Sequence, residues 1–297
     1  MTSQASLRFR LYCTARSGVQ GLRRLVPPAL LPPRRDLSRS FAIGVTTYSE
    51  RYDEYLRPLY GALCRIFPEV PLTIAVNGHG TAEAQGRYLA RFQTEICAAA
   101  PAHHRFVLHD RPHGLTTLWN LMLAASPRDR PLLILNDDLR LHGWLRRWAE
   151  AFNWGGARLA LINSSWSHFL IAPSTVAQVG AFDPGFPGIG FEDMDYTARA
   201  GLAGVPIANH LCAYLRHEDD KPETTSFDAV SGRIWGKYTS ANQEHFAAQW
   251  EATDREDGVW IKQLHGRVRP RRPVVPVPRP TIPAPAWRDN VLYPDRA

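Results

Sequence analysis

The stretch Pro131–Asp138, PLLILNDD, decides the fold. From Pro131 to Leu135 the residues are apolar without alternation, the pattern of a strand covered on both faces. The chain then turns polar at once, at Asn136, Asp137 and Asp138. A strand buried on both faces needs helices above and below it, so the flanking sequence should alternate strands with helices. Upstream, Phe41–Thr46 (FAIGVT) and Leu72–Val76 read as buried strands and Phe106–His109 as a weaker one. Between them Tyr52–Ile66, Thr81–Ala98 and Leu115–Ala124 read as helices. The first puts Tyr55, Leu56, Leu59, Leu63 and Ile66 on one face. Downstream come a helix over Trp144–Asn153 and strands at Leu159–Ile162, His168–Ile171, Val205–Ala208 and Cys212–Leu215. A last helix, Ala241–Glu251, offers Phe246 and Trp250 at i and i+4 for packing.

The expected fold is therefore α/β, a mainly parallel sheet flanked by helices, in one domain over residues 41–265. Ligands of such sheets collect beyond the carboxyl ends of the strands. That rule puts Thr46–Glu50, Asn77–Gly80 and Asn136–Asp138 around one crevice.

Two basic ends flank this body. The formal charge is +7, yet eight arginines against Asp36 in residues 1–40, and seven against Asp289 and Asp295 in residues 266–297, leave the body at −5. Specific nucleic-acid binding is not expected of an acidic body. The segment Leu7–Val26, LRFRLYCTARSGVQGLRRLV, has three readings: a surface helix drawn to anionic lipid, a transit peptide, or a disordered arm. Eight prolines and seven arginines from Gly266 onward predict a tail without structure. Cys13, Cys64, Cys97 and Cys212 are scattered, against a zinc ribbon or a disulfide framework. No apolar run approaches the roughly 18–20 residues that cross a bilayer. The expected location is the cytoplasm, with peripheral contact at the inner face of the membrane through the basic N-terminus.

The chemistry lies in three places. Phe182–Arg199, FDPGFPGIGFEDMDYTAR, is a loop of glycine and proline that opens a helix at Phe191. Glu192, Asp193 and Asp195 fall in the first turns, where the helix dipole favours negative charge. A carboxylate there can take a proton from something bound in the loop, although acids open ordinary helices as well. Asp137 and Asp138 offer hard oxygen to Mg²⁺ or Mn²⁺, or simply make a turn. His217, in the run LRHEDD, is a further candidate ligand or a plain loop histidine.

Over Phe41–Trp250 the chain resembles GT-A fold glycosyltransferases, most closely the inverting family 2 group. VTTYSER is similar to the first nucleotide-binding turn, and Ile74–Gly80 to the second, with Asn77 where an Asp is common. LNDDL, Leu135–Leu139, looks like the D-x-D region with Asn136 in place of its first acid. VGAFDPGF followed by FEDMD resembles the acceptor-side loop and its Glu-Asp pair. The resemblance implies Thr46 and Tyr48 against the base, with Glu50, Asn77 and Asn120 also on the donor and Asp137 toward ribose or metal water. It implies Asp138 and His217 as ligands of Mn²⁺ or Mg²⁺, Asp193 as general base, and Glu192 positioning the acceptor. The implied donor is a UDP-sugar, with GDP- and dTDP-sugars as alternatives, and the acceptor a glycan, a lipid-linked glycan or a protein. Trp119, Trp154, Trp166 and His168 are candidates for the acceptor side, core packing being the other reading. Two rivals are a sugar nucleotidyltransferase, whose glycine-rich phosphate signature VTTYSERYD lacks, and a non-catalytic nucleotide-sugar or glycan-binding scaffold.

Overall fold

The computed structural model describes residues 35–48, 51–78, 81–217, 232–252, 268–282 and 287–296. The basic N-terminal segment and Glu50 lie outside these residues, as do the side chains of Tyr48 and His217.

The body alternates strand and helix as expected. Strand β1 (Ala42–Tyr48) passes through a wide turn, Tyr52–Leu56, into α1 (Arg57–Ile66), whose first turn holds Pro58. Next along the chain are β2 (Leu72–Asn77), α2 (Ala82–Glu95), β3 (His104–Leu108), α3 (Leu115–Ala125) and β4 (Leu132–Asn136). Thr81 caps α2, its hydroxyl accepting from the Ala84 amide. Further on come β5 (Leu139–Leu141), α4 (Leu145–Ala151), β6 (Leu159–Ile162), β7 (Ser165–Ile171), α5 (Pro173–Val179), α6 (Glu192–Leu202), β8 (Ala208–His210), β9 (Leu215–His217) and α7 (Gly232–Gln249). Asn163 and Ser164 both take φ of 58°, the left-handed pair that closes a two-residue hairpin between β6 and β7.

A nine-stranded sheet runs through the centre, with β3, β2, β1 and β4 parallel and adjacent, then β7 antiparallel to β4. The apolar run of β4 now has its reason. Leu133 and Leu135 join one core with Leu59, Leu63 and Phe92 of the helices on that side, while Leu132 and Ile134 join the other with Trp119, Met122 and Tyr196. Full burial of each such side chain stabilises by roughly 1.5–3 kcal/mol, so one charged residue at any of the four would break the sheet at its centre.

The C-terminal tail departs from expectation. Rather than lying free, β13 (Val291–Leu292) pairs parallel with β3, and β12 (Trp287–Arg288) pairs with β13. Earlier, β11 (Val268–Pro270) pairs with β10 (Trp250–Ala252), and Val277 bridges Gly180. A short apolar strand is invisible to composition when prolines and arginines surround it; the open edge of β3 supplies the partner. Trp119 and Trp154 are buried in the core, so packing is their role. Among the described residues no helix is long and apolar enough to cross a membrane.

Candidate functional site

The carboxyl ends of β1 and β4 lie side by side because the strands are parallel and in register, Thr46 opposite Asn136. The Thr46 hydroxyl reaches the Asn136 side-chain oxygen at 3.5 Å. One residue further, the Thr47 hydroxyl donates to Asp137 Oδ2 at 2.6 Å. Asp137 and Asp138 are both buried. Burial pushes the Asp137 carboxyl up to about 6, and the Asp138 charge adds to this while Arg51 opposes it.

Arg51, a residue to which the sequence alone assigns no role, closes this edge. Its Nε donates to Asp137 Oδ1 at 2.8 Å and its Nη2 lies 2.6 Å from Asp138 Oδ2. The guanidinium also sits 4.2 Å over the Tyr55 ring. The Arg51 guanidinium is thus shared by two adjacent carboxylates. Hard carboxylate oxygens are donors that suit Mg²⁺ or Mn²⁺. The signal for Arg51 in the chain is a basic residue three positions after the end of the first buried strand.

His217 comes to the same place through backbone pairing. Strand β9 runs antiparallel to β5, with His217 opposite Leu139, the residue directly after Asp138. Seventy-eight positions of chain separate the two, and only a short two-stranded ladder joins them.

Glu192 and Asp193 form the first turn of α6. Gly190 has φ of 106°, and Phe191, a bulky residue, is held in the left-handed region at 69°. Such strain persists only where the surroundings over-determine it. Here they do: the Asn242 amide accepts from Gly188 N–H at 3.1 Å and donates to Gly190 O at 2.7 Å. Asp183 accepts from Gly185 N–H, His245 and Gln249, tying the loop to α7. On the other side, Leu115 N–H donates to Gly188 O, and a side chain at Gly114 would strike the carbonyl of Phe186. The loop is therefore clamped over the start of α3, at the carboxyl edge of the sheet. The Asp193 carboxylate accepts from Met194 N–H at 2.9 Å, which orients it, and Glu192 is buried.

Two of the expected donor residues make contacts with the backbone. Asn77 accepts from the amides of Gly78 and His113 and donates to His113 O, so its whole amide braces the loop before α3. Asn120 donates to Phe182 O at 2.8 Å and accepts from Phe182 N–H at 2.9 Å, tying α3 to the glycine-rich loop. The structure thus joins Thr46, Asp137 and Asp138 in one cluster, brings the backbone of His217 beside it, and gives Asn77 and Asn120 scaffolding contacts. Arg51 and Asp183 lie inside quoted motifs, but only the structure gives them and Asn242 a specific contact in this region.

No family model matches this sequence, and no curated protein does. Solved structures similar to it include glucosyl-3-phosphoglycerate synthase from Mycobacterium tuberculosis in complex with Mn²⁺, UDP and glucosyl-3-phosphoglycerate, at 14% identity over 82% of this chain and 91% of that one, TM-score 0.44. The catalytic domain of Drosophila β1,4-galactosyltransferase 7 with xylobiose is another, at 14% identity over 57% of this chain, TM-score 0.37. This chain spans 64% of that domain, just under two thirds. GalNAc-T7 with UDP, GalNAc and Mn²⁺ is a third, at 8% identity over 72% of this chain and 51% of that one, TM-score 0.45. The sheet of this chain is itself mostly parallel, with helices packed on both of its faces.

Proposed function

We propose that this chain is a glycosyltransferase that moves a sugar from a nucleoside-diphosphate donor, a UDP-sugar first, to an acceptor hydroxyl with inversion. The observation that carries this reading is the β5–β9 register, which sets His217 opposite the neighbour of Asp138 at the carboxyl end of the central strand. Residues Asp137, Asp138 and His217 would hold Mn²⁺ or Mg²⁺, which when bound neutralises charge on a departing diphosphate.

The remaining steps belong to the chain's own groups. Thr46 and the end of β1 line the donor side of the edge. Arg51, which shares Asp137 and Asp138, adds positive charge where a diphosphate would lie. Asp193, oriented by Met194 N–H on a clamped turn, accepts the proton of the acceptor hydroxyl. As that oxygen bonds to the anomeric carbon, the bond from this carbon to the diphosphate breaks and the diphosphate leaves with the electron pair. One displacement inverts the carbon and requires no second nucleophile. Glu192, beside it on the first turn, positions the acceptor. General-base catalysis contributes roughly 10²- to 10⁴-fold.

The test is a donor panel of UDP-, GDP- and dTDP-sugars titrated calorimetrically onto the purified chain with Mn²⁺ and with EDTA, with mass spectrometry of the products. One donor should bind with Mn²⁺ and be turned over, and EDTA should abolish both. Asp193→Asn should keep donor binding and lose turnover by roughly 10²- to 10⁴-fold. Undiminished activity in EDTA would remove the metal assignment, and near-normal turnover of the variant would remove Asp193 as base. Donor binding without turnover of any panel member would favour the scaffold reading instead.

A further inference from the structure

We propose that His109, His113 and Asp295 form a transition-metal site, of the kind Zn²⁺ takes, that pins the C-terminal hairpin to the edge of the sheet. It is separate from the acid pair and independent of the proposed reaction. His109 Nδ1 lies 3.3 Å from Asp295 Oδ2, and His113 Nε2 lies 2.8 Å from Asp295 Oδ1. One ligand atom from each of the three residues lies within 4.8 Å of the others. Tetrahedral Zn²⁺ at about 2.0–2.2 Å from nitrogen and oxygen needs ligands about 3.3 Å apart, so small side-chain rotations suffice. Two imidazoles and one carboxylate select Zn²⁺, Co²⁺ or Ni²⁺ over Mg²⁺ and Ca²⁺.

The surrounding structure holds these groups in place. His109 N–H donates to Val76 O at 3.0 Å, and its carbonyl accepts from the Gln85 amide, which fixes the end of β3. Both amide atoms of Asn77 hold the backbone of His113. The loop between them, His109-Asp110-Arg111-Pro112-His113, passes so close to Gly78 that any side chain there would strike the backbone of Arg111. Asp295 is brought in by the pairing of β13 with β3 and accepts from Asp110 N–H at 2.9 Å. Burial, and then the neighbouring His113 ring, lower the His109 imidazole to about 4. The ring is neutral at ordinary pH, the form whose nitrogen binds a metal. Arg111 Nε lies 3.5 Å from Asp295 Oδ1, but its side chain is 74% exposed and can swing to water. The His113 side chain, 20% exposed, gives an ion its entry path.

The experiment uses the full chain, stripped of metal and dialysed against Zn²⁺ with excess Mg²⁺, then assayed for zinc by mass spectrometry. Wild type should retain one Zn²⁺ per chain, and Co²⁺ in its place should give the intense visible bands of a four-coordinate ion. Asp295→Asn keeps a hydrogen-bonding group on the hairpin but loses the anionic ligand, and should bind Zn²⁺ about 100-fold more weakly, as should His113→Ala. Asp138→Asn should retain the zinc. Zn²⁺ should also slow amide exchange at Val291 and Leu292 in wild type and not in Asp295→Asn, with circular dichroism showing that both are folded. No uptake, or equal uptake in wild type and in folded Asp295→Asn and His113→Ala, would overturn the site and leave a purely hydrogen-bonded latch.

Discussion

Asp195–Arg199 and Asp137–Asp138–Arg51 are both buried carboxylate–guanidinium sets with an Nε···Oδ distance of 2.8 Å, yet their charges are counted differently. In α6, one carboxylate meets one guanidinium. Asp195 also accepts from Trp250 Nε1 at 2.9 Å, and Arg199 Nη1 donates to the carbonyls of Val179 and Ala181. The Arg199 guanidinium lies 4.8 Å over the Tyr196 ring, and only its Nη2 lacks a partner among the described residues. At the end of β4, two carboxylates meet one guanidinium. In the first set the guanidinium serves one carboxylate, whereas in the second it is shared between two. The first set ties α6 to the loop behind it; the second sits at the carboxyl edge of the sheet.

The largest effect should come from breaking the first set. Arg199→Met leaves Asp195 buried and uncompensated, at a cost of about 3–5 kcal/mol in urea unfolding. Arg51→Met should cost less, because Asp137 can take up a proton instead. Equal losses would erase the difference between the two sets. Next in size, Asp138→Ala should weaken Mn²⁺-dependent donor binding by at least about 100-fold with the melting temperature nearly unchanged, as read by calorimetry and thermal denaturation. A loss of stability without a loss of binding would place Asp138 with Asp195 as scaffold.

Smaller is the gain expected when the competing guanidinium is removed. Arg51→Met should tighten Mn²⁺ by roughly tenfold, the scale of one charge contact near a partly wet surface. Unchanged affinity would mean that Arg51 and the metal use different oxygens. Smallest is the effect of pH on cation binding. Because the folded Asp137 carboxyl titrates near 6, above the usual carboxylate value, the folded chain holds a proton that the unfolded chain has lost between about pH 4 and pH 6. Stability therefore falls as pH rises through that window. Cation binding runs the other way, since the proton competes, and Mn²⁺ should bind roughly fourfold more weakly at pH 5.5 than at pH 7. A flat Mn²⁺ titration across that interval would detach Asp137 from the cation.

The fold is legible in the sequence wherever burial imposes a long pattern. The run PLLIL reads as a two-sided strand because each of its residues must face one core or the other, and strand β6 is expected at Leu159–Ile162, where it is found. Strand β5, Leu139–Leu141, is too short to show a period, and β9 falls at Leu215–His217 rather than Cys212–Leu215. The acid pair and the Glu192–Asp193 turn are visible because a change from apolar to acidic residues at the end of an element is a local event. Arg51 is not, since nothing near it in the chain says that it reaches the end of β4. Asn77 and Asn120 stand in the chain where donor contacts are expected, and only the structure shows that their amides brace backbone.

The residues alone determine the layering, because it depends on apolar spacing within a few turns of chain. Only the assembled molecule decides the pairings across long separations: His217 beside Leu139, Arg51 on Asp137, Asp295 against His109. Side-chain chemistry names the groups that could meet, but which of them meet depends on strand order and register, and these come from the packing of the whole sheet.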